Sequence, residues 1–286
     1  MPELPEVQTV VAHLARQITG KVFLSCQIKA ARMVSRGFAA QINNKKILEV
    51  SRRAKMIIIK LSGDKYLLIH LKMTGQLIYV SASGKVAGGG HPINAKDFSL
   101  RQVNKFTRVV LNFTDSSRLL FHDVRRFGWL KIVNIKQFEK IIGAYGLEPL
   151  SKEFNLQKFR EILQRRLQAK IKQLLMTQEL IAGIGNIYAD ESLFAAKILP
   201  VRLAKTLKPA EVKALHSAIK KILHLAVAVG GTSVNTFVHP TGERGQMAEK
   251  LKVYQRGGKK CLRCGAILHK IKLGGRGTVF CEKCQK

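Results

Sequence analysis

The sequence predicts an α+β chain whose strand-rich first half gives way to a helical second half and ends in a cysteine-rich hairpin. Three observations carry this. From Lys21 to about Val133, short β-rich runs are separated by Gly, Asn, Asp and Ser turns; beyond Pro149 the apolar spacing becomes helical; and two Cys-x-x-Cys pairs stand at the C-terminal end.

Taken in order, Val7, Val10, Val11, Leu14 and Ile18 recur at helical spacing, with Gly20 where such a helix would stop. The β-rich runs are Val22–Ile28, Ile47–Val50, Met56–Leu61, Tyr66–Leu71, Leu77–Val80, Val109–Phe113, Leu119–Phe121 and Trp129–Val133, a pattern that fits an antiparallel sandwich or barrel. The small-residue stretch Ser81–Gly90 is expected to be a mobile loop that interrupts the sheet. Helical runs follow at Leu156–Leu167, Ile171–Leu175, Ile187–Ala196 and Pro209–Val229. The expected division is a strand-rich domain over 1–133, a linker over 134–150, a helical domain over 151–257 and a hairpin over 258–286, which the Gly257-Gly258 turn introduces.

The 286 residues, 46% hydrophobic, suffice for two ordinary domains with real cores. Fifty Lys plus Arg against eighteen Asp plus Glu give a formal charge of +32, a self-repelling balance that a polyanion relieves. Nucleic acid is the expected partner. The longest apolar candidate, Ile222–Val229, falls well short of the roughly 20 residues that a membrane span needs. The start, MPELPEV, carries carboxylates and prolines where a secretory signal would carry basic and then apolar residues, so a cytoplasmic, nucleoid-associated protein is expected.

In a reducing compartment, Cys261-x-x-Cys264 and Cys281-x-x-Cys284, sixteen residues apart, have the spacing of two knuckles closing a tetrahedral zinc site. Four cysteine ligands leave no position for a bound water, so one structural Zn2+ is expected. The fifth cysteine, Cys26, lies between Leu24 and Ile28 and reads as a buried structural thiol. The hairpin between the knuckles carries His269, Lys270, Lys272 and Arg276, which would face a phosphate backbone or form a solvated basic loop.

Removal of the initiator Met, which a small residue at position 2 permits, would expose the secondary amine of Pro2. An α-amine titrates at about 7.7–8.0, so part of it is unprotonated and nucleophilic at neutral pH. Glu3 and Glu6 stand beside it as candidate proton donor and support. The alternative is that these carboxylates only stabilise a helix start, where Asp, Glu and Pro are all favoured.

PELPEV (2–7), RRAK (52–55), HLKMTG (70–75), DVRRFG (123–128), GIGNIYADES (183–192), GGTSVNTF (230–237), VYQRG (253–257) and the cysteine segment occur in the order seen in formamidopyrimidine-DNA glycosylases, which the chain resembles over nearly its whole length. The resemblance implies an N-terminal catalytic β-sandwich with its N-terminal helix, a helix-two-turn-helix DNA-binding domain and a β-hairpin zinc finger. It further implies a monomeric, bifunctional glycosylase and AP lyase of base excision repair. The substrate would be double-stranded DNA containing 8-oxoguanine or formamidopyrimidines.

By the same resemblance, Pro2 would attack C1′ of the damaged nucleotide, Glu3 would protonate the sugar ring, and Glu6 would support the site. Lys55 would assist base release and β-elimination while holding a phosphate. A base must leave the stack before chemistry, and the vacated space must be filled. Met73, Arg125 and Phe127 match the family's void-filling trio; the alternative for Met73 and Phe127 is core packing, which the motif disfavours. Asn186 at a helix start, with nearby amides, would clasp phosphate. Arg276 would grip the phosphates around the lesion and serve δ-elimination. His70, Arg126, Tyr254 and Lys270 align with further phosphate contacts, and Arg108 with a DNA-binding position where a histidine is common. His122 reads as a satisfied core histidine. Gln246-Met247 replaces the family's usual aromatic pair in the loop that covers the everted base, and the Ser81–Val103 loop is longer than in many relatives. Two other readings are an endonuclease VIII-like enzyme for oxidised pyrimidines, against which PELPE and RRFG speak, and a non-catalytic zinc-ribbon DNA-binding protein, against which Pro2, Glu3 and Lys55 speak.

Overall fold

The computed structural model describes residues 1–90, 102–232 and 246–286, in two compact units: residues 1–143 with 229–248, and residues 144–228 with 249–286. Most of the long loop after Gly90, and all but the start of GGTSVNTF, lie outside the described residues.

In the first unit, α1 (Leu4–Ile18) buries the predicted stripe of Val7, Val10, Val11, Leu14 and Ile18, and Pro5 stands in its first turn. Two antiparallel sheets follow. The first runs in the order β1 (Phe23–Ile28), β7 (Thr107–Phe113), β8 (Arg118–Asp123), β5 (Gly75–Val80), β6 (Val86–Gly90); the second in the order β2 (Ile47–Arg53), β3 (Met56–Leu61), β4 (Lys65–His70), β9 (Trp129–Asn134). Alternate residues of both sheets, among them Leu77, Tyr79, Val109, Leu111, Ile57, Ile59, Leu67 and Ile69, join the α1 stripe in one core. This is the period-2 logic of a sandwich. On the other face of the first sheet, Ile78, Val80, Val110 and Leu120 form a smaller apolar cluster, which leaves every residue of β5 buried.

The structure corrects the reading of Ser81–Gly90. Residues 81–85 form a turn, but Val86–Gly90 is an edge strand paired with β5. Its glycines hid it, and packing explains them: a Cβ on Gly88 would lie 2.0 Å from the Leu77 carbonyl oxygen and 3.3 Å from Leu14, so no side chain fits. Among the described residues, three short α-helices escaped the sequence reading: α2 (Phe38–Ile42), a single turn at Met247–Lys250, and α3 (Ile135–Gly143), which belongs to the first unit although its residues looked like linker. Cys26 is only half-buried at the edge of the core, with its thiol pushed up by desolvation. His122 is buried and shares a hydrogen bond with Thr107, as a structural histidine should.

The second unit contains α4 (Leu156–Gln164), α5 (Ile171–Leu175), α6 (Asn186–Ala195) and α7 (Pro209–Ala228), then the hairpin β10 (His269–Leu273)–β11 (Arg276–Phe280). The turns between α5 and α6 are braced by Gln178. Its side-chain NH2 donates to the carbonyls of Met176 and Ile184, while its oxygen accepts from the Gly183 amide. Among the described residues, 229–232 and 246–248 group with the strand-rich unit, whereas the sequence pattern ran them with the helices.

Candidate active site and nucleic-acid interface

At the start of α1 the chain builds a reciprocal cap. The Glu3 carboxylate accepts from the Glu6 amide, and Glu6 Oε2 accepts from the Glu3 amide at 2.9 Å. Glu6 Oε1 accepts from the Thr232 amide at 2.7 Å, so one carboxylate joins the N-terminus to the chain returning at residue 232. That return requires glycine: Gly231 has φ +81°, and a Cβ there would lie 3.0 Å from Glu6 Oε1. Pro2, Glu3 and Glu6 are all buried, and the Pro2 nitrogen is in peptide linkage to Met1.

Lys55 sits in the turn between β2 and β3 and is only 6% exposed. Arg52 holds this turn by donating to Gln8 of α1 and to the Ala54 carbonyl. Ala54 itself has φ +53°, an uncommon conformation for a non-glycine residue. One strand away, His70 is paired with Met56 in the ladder, and its Nδ1 accepts from the Lys72 amide at 3.0 Å. Burial, then the charges of Lys72 and Lys55, lower the His70 pKa to about 3. His70 is therefore neutral and carries its proton on Nε2, a donor without a positive charge.

Two loops carry the predicted wedge. Met73 is half-buried in the loop between β4 and β5; Arg125, Arg126 and Phe127 are exposed between β8 and β9, with the Arg125 guanidinium 4.7 Å from the Phe127 ring centroid. Phe127 is 52% exposed, which removes it from the core reading. Arg108 behaves otherwise than expected. It is buried, with Nε donating to the Asp123 carbonyl at 2.8 Å and Nη1 to the Lys105 carbonyl at 3.1 Å, so it ties down the wedge loop in place of reaching outward.

In the second unit, Asn186 opens α6, and its side-chain NH2 donates to the Gly277 carbonyl at 3.0 Å. Asn186, Tyr254 and Lys270, three of the expected phosphate contacts, line one cleft of about 450 Å³, together with Gly277, the neighbour of Arg276. The four cysteine sulfurs lie within 4.8 Å of one another, with Cys261–Cys284 at 3.9 Å and Cys264–Cys281 at 3.5 Å. Tetrahedral Zn–S bonds of about 2.3 Å impose a separation of roughly 3.8 Å, so the thiolate cage fits one structural zinc.

Residues 1–130 match the formamidopyrimidine-DNA glycosylase N-terminal domain, 145–238 the formamidopyrimidine-DNA glycosylase H2TH domain, and 258–286 a zinc finger found in that enzyme and in IleRS. The formamidopyrimidine-DNA glycosylase of Pelotomaculum thermopropionicum is 38% identical, covering 100% of this chain and 99% of its own. This chain belongs to the formamidopyrimidine-DNA glycosylase family. The Lactococcus lactis formamidopyrimidine-DNA glycosylase, 38% identical over the whole of both chains, is also close in structure. Its complex with abasic-site DNA superposes with a TM-score of 0.86 at 35% identity, over 99% of each chain. A variant of it bound to Fapy-dG-containing DNA gives 0.87 over 100% of each.

As a formamidopyrimidine-DNA glycosylase, the protein is a DNA glycosylase with AP lyase activity, acting in base excision repair, and it carries one structural zinc. Among the described residues, no helix is long and apolar enough to cross a membrane. The glycosylase scaffold also uses residues that the sequence did not single out. Lys172, buried in α5, pairs with Asp190 at 2.7 Å and donates to the Thr278 hydroxyl and the Gly277 carbonyl; Asp190 Oδ2 accepts from the Val279 amide. Burial raises the Asp190 carboxyl to about 7, with Lys172 pulling the other way. The adjacent Glu191 accepts from the amides of Lys252, Val253 and Tyr254, which sets the Tyr254 turn. The available signal was two adjacent acids, Asp190 and Glu191, in the middle of a helix of an acid-poor chain.

Proposed function

We propose that the protein excises oxidised purines, 8-oxoguanine and formamidopyrimidines, from duplex DNA through the amine of Pro2 exposed by removal of Met1, then cuts the strand by β,δ-elimination. The observation that carries this is the buried Pro2 beside the Glu3–Glu6 cap at the head of α1. Neutral Pro2 nitrogen attacks C1′ and displaces the base; Glu3 protonates the ring oxygen, opening the sugar to an iminium. Glu6 supplies no proton here. It holds the Glu3 and Thr232 amides, and so positions the acid.

In this reading Lys55 assists base release and holds a phosphate, while Met73, Arg125 and Phe127 fill the space of the extruded base. Asn186, Tyr254 and Lys270, with His70 and Arg126, contact phosphates, and Arg276 serves δ-elimination. Arg108 is reassigned to holding the wedge loop. The working divisions are the catalytic sandwich (1–133) extended by α3 to residue 143, a short linker up to 150, the helix-two-turn-helix domain (151–257) and the zinc hairpin (258–286). The protein acts as a monomer on nucleoid DNA in the cytoplasm.

The test is borohydride trapping on a duplex with 8-oxoguanine opposite cytosine, using protein whose first residue is shown by mass spectrometry to be Pro2. A covalent complex is expected, and Pro2→Gly abolishes it. Absence of trapping by the processed protein overturns the mechanism; stronger trapping on oxidised pyrimidines overturns the lesion class.

A further inference from the structure

Both wedge loops cross from one sheet of the sandwich to the other, side by side. The 71–74 loop leaves β4 in the four-stranded sheet and enters β5 in the five-stranded sheet; the 124–128 loop makes the reverse crossing from β8 to β9. At one end of the crossing His70 is paired with Trp129, and at the other Gly75 with Asp123. Between these rungs the loops are joined by side-chain chemistry. The Thr74 hydroxyl donates to Asp123 Oδ1 at 2.5 Å and accepts from the Arg125 amide at 3.0 Å. Asp123, with no exposed surface, also takes the Arg125 amide on Oδ1 at 3.2 Å and the Gly128 amide on Oδ2 at 2.7 Å.

We propose that the Thr74–Asp123 pair is a positioning clamp that makes Met73, Arg125 and Phe127 insert as one rigid wedge when the damaged base is extruded. This rests on the reading of those three residues as the void-filling group. The physical reason is pre-organisation. A wedge of one half-buried and two exposed side chains, mounted on separate loops, would have to be ordered at the moment of insertion; fastening the loops beforehand removes that cost from the barrier. The clamp is well made for this. Its carboxylate is buried and held by a hydroxyl and two amides, bonds stronger than neutral ones, and Arg108 anchors the carbonyl of the same aspartate.

The experiment is single-turnover excision from an 8-oxoguanine–cytosine duplex by Thr74→Val, Thr74→Ser, Phe127→Ala and Thr74→Val/Phe127→Ala, with melting curves for each. Thr74→Val keeps the shape but loses both hydrogen bonds; it is expected to slow excision about tenfold, with affinity for undamaged duplex unchanged. Thr74→Ser retains both bonds and restores most of the rate. With the wedge ring removed the clamp has little left to position, so Thr74→Val adds less than about twofold to the defect of Phe127→Ala. Rates of the two single variants that multiply in full, or a wild-type rate for Thr74→Val, overturn the clamp alone. If Phe127→Ala excises at the wild-type rate, the wedge reading itself fails and takes the clamp with it. Should Thr74→Val melt before the assay temperature, Thr74→Ala is put through the same cycle and read by the same criteria.

Discussion

The 71–74 and 124–128 loops of the first unit and the zinc hairpin of the second both carry exposed basic side chains, yet they are held in different ways. Asp123 braces the wedge with neutral donors only: one hydroxyl and two amides. The hairpin is fastened through a buried ion pair, Lys172–Asp190, and by four cysteines suited to a metal. The difference follows from what each must resist. The wedge loops run between strands of two paired sheets, so a few hydrogen bonds suffice to fix them. A two-stranded hairpin of 269–280 is marginal on its own in water and needs a stronger staple. In both places a buried acid, Asp123 or Asp190, works inside the protein, while Arg125, Arg126, Lys270 and Arg276 stay exposed.

The largest expected effect is on the staple. Stripping zinc with a chelator under reducing conditions removes a contribution of about 10 kcal/mol or more; it should expose 258–286 to protease and weaken DNA binding while unit 1 stays folded. A protected hairpin with unchanged affinity would mean that the ion pair holds it unaided, and the contrast would collapse. Next, Lys172→Ala leaves Asp190 buried without its cation and should cost about 3–5 kcal/mol in denaturant unfolding. Asp123→Asn, which keeps one acceptor oxygen and loses the charge, should cost less, about 1–3 kcal/mol. The reverse order would show that the neutral brace is the stronger one.

The smallest effect is a pH dependence confined to the first unit. His70 is held neutral in the folded state, with its pKa lowered to about 3 from the usual value near 6.5. The unfolded chain therefore binds the proton more readily. The stability from neutral His70 is complete above the unfolded value and is lost as pH falls through that window toward 3. A loss of about 1–2 kcal/mol is expected by pH 5, given the shielding. Thermal melts of the wild type and His70→Gln between pH 7 and 5 should converge as pH falls; parallel curves would show that His70 is not the group responsible.

The pattern of strands, the helical second half and the cysteine cage were legible because each rests on local chemistry: period-2 alternation, 3.6-residue spacing and fixed ligand separation. The proposed site residues were read as motifs, from residue types that stand in one order along the chain. What escaped depends on contacts between distant residues. The strand Val86–Gly90 reads as a loop until α1 and Leu77 are seen to leave no room for side chains. Arg108 reads as a DNA-binding position, and only the fold shows the carbonyls of Lys105 and Asp123 taking it inward. Thr74 carries no signal of its own, and becomes a brace only because two crossovers between sheets bring it against Asp123. By itself, then, the sequence determined which chemistry this protein carries and roughly which elements bear it. Tertiary structure alone decided which charges point outward and which acids hold them there, because burial and partnership belong to residues that meet only when the chain has folded.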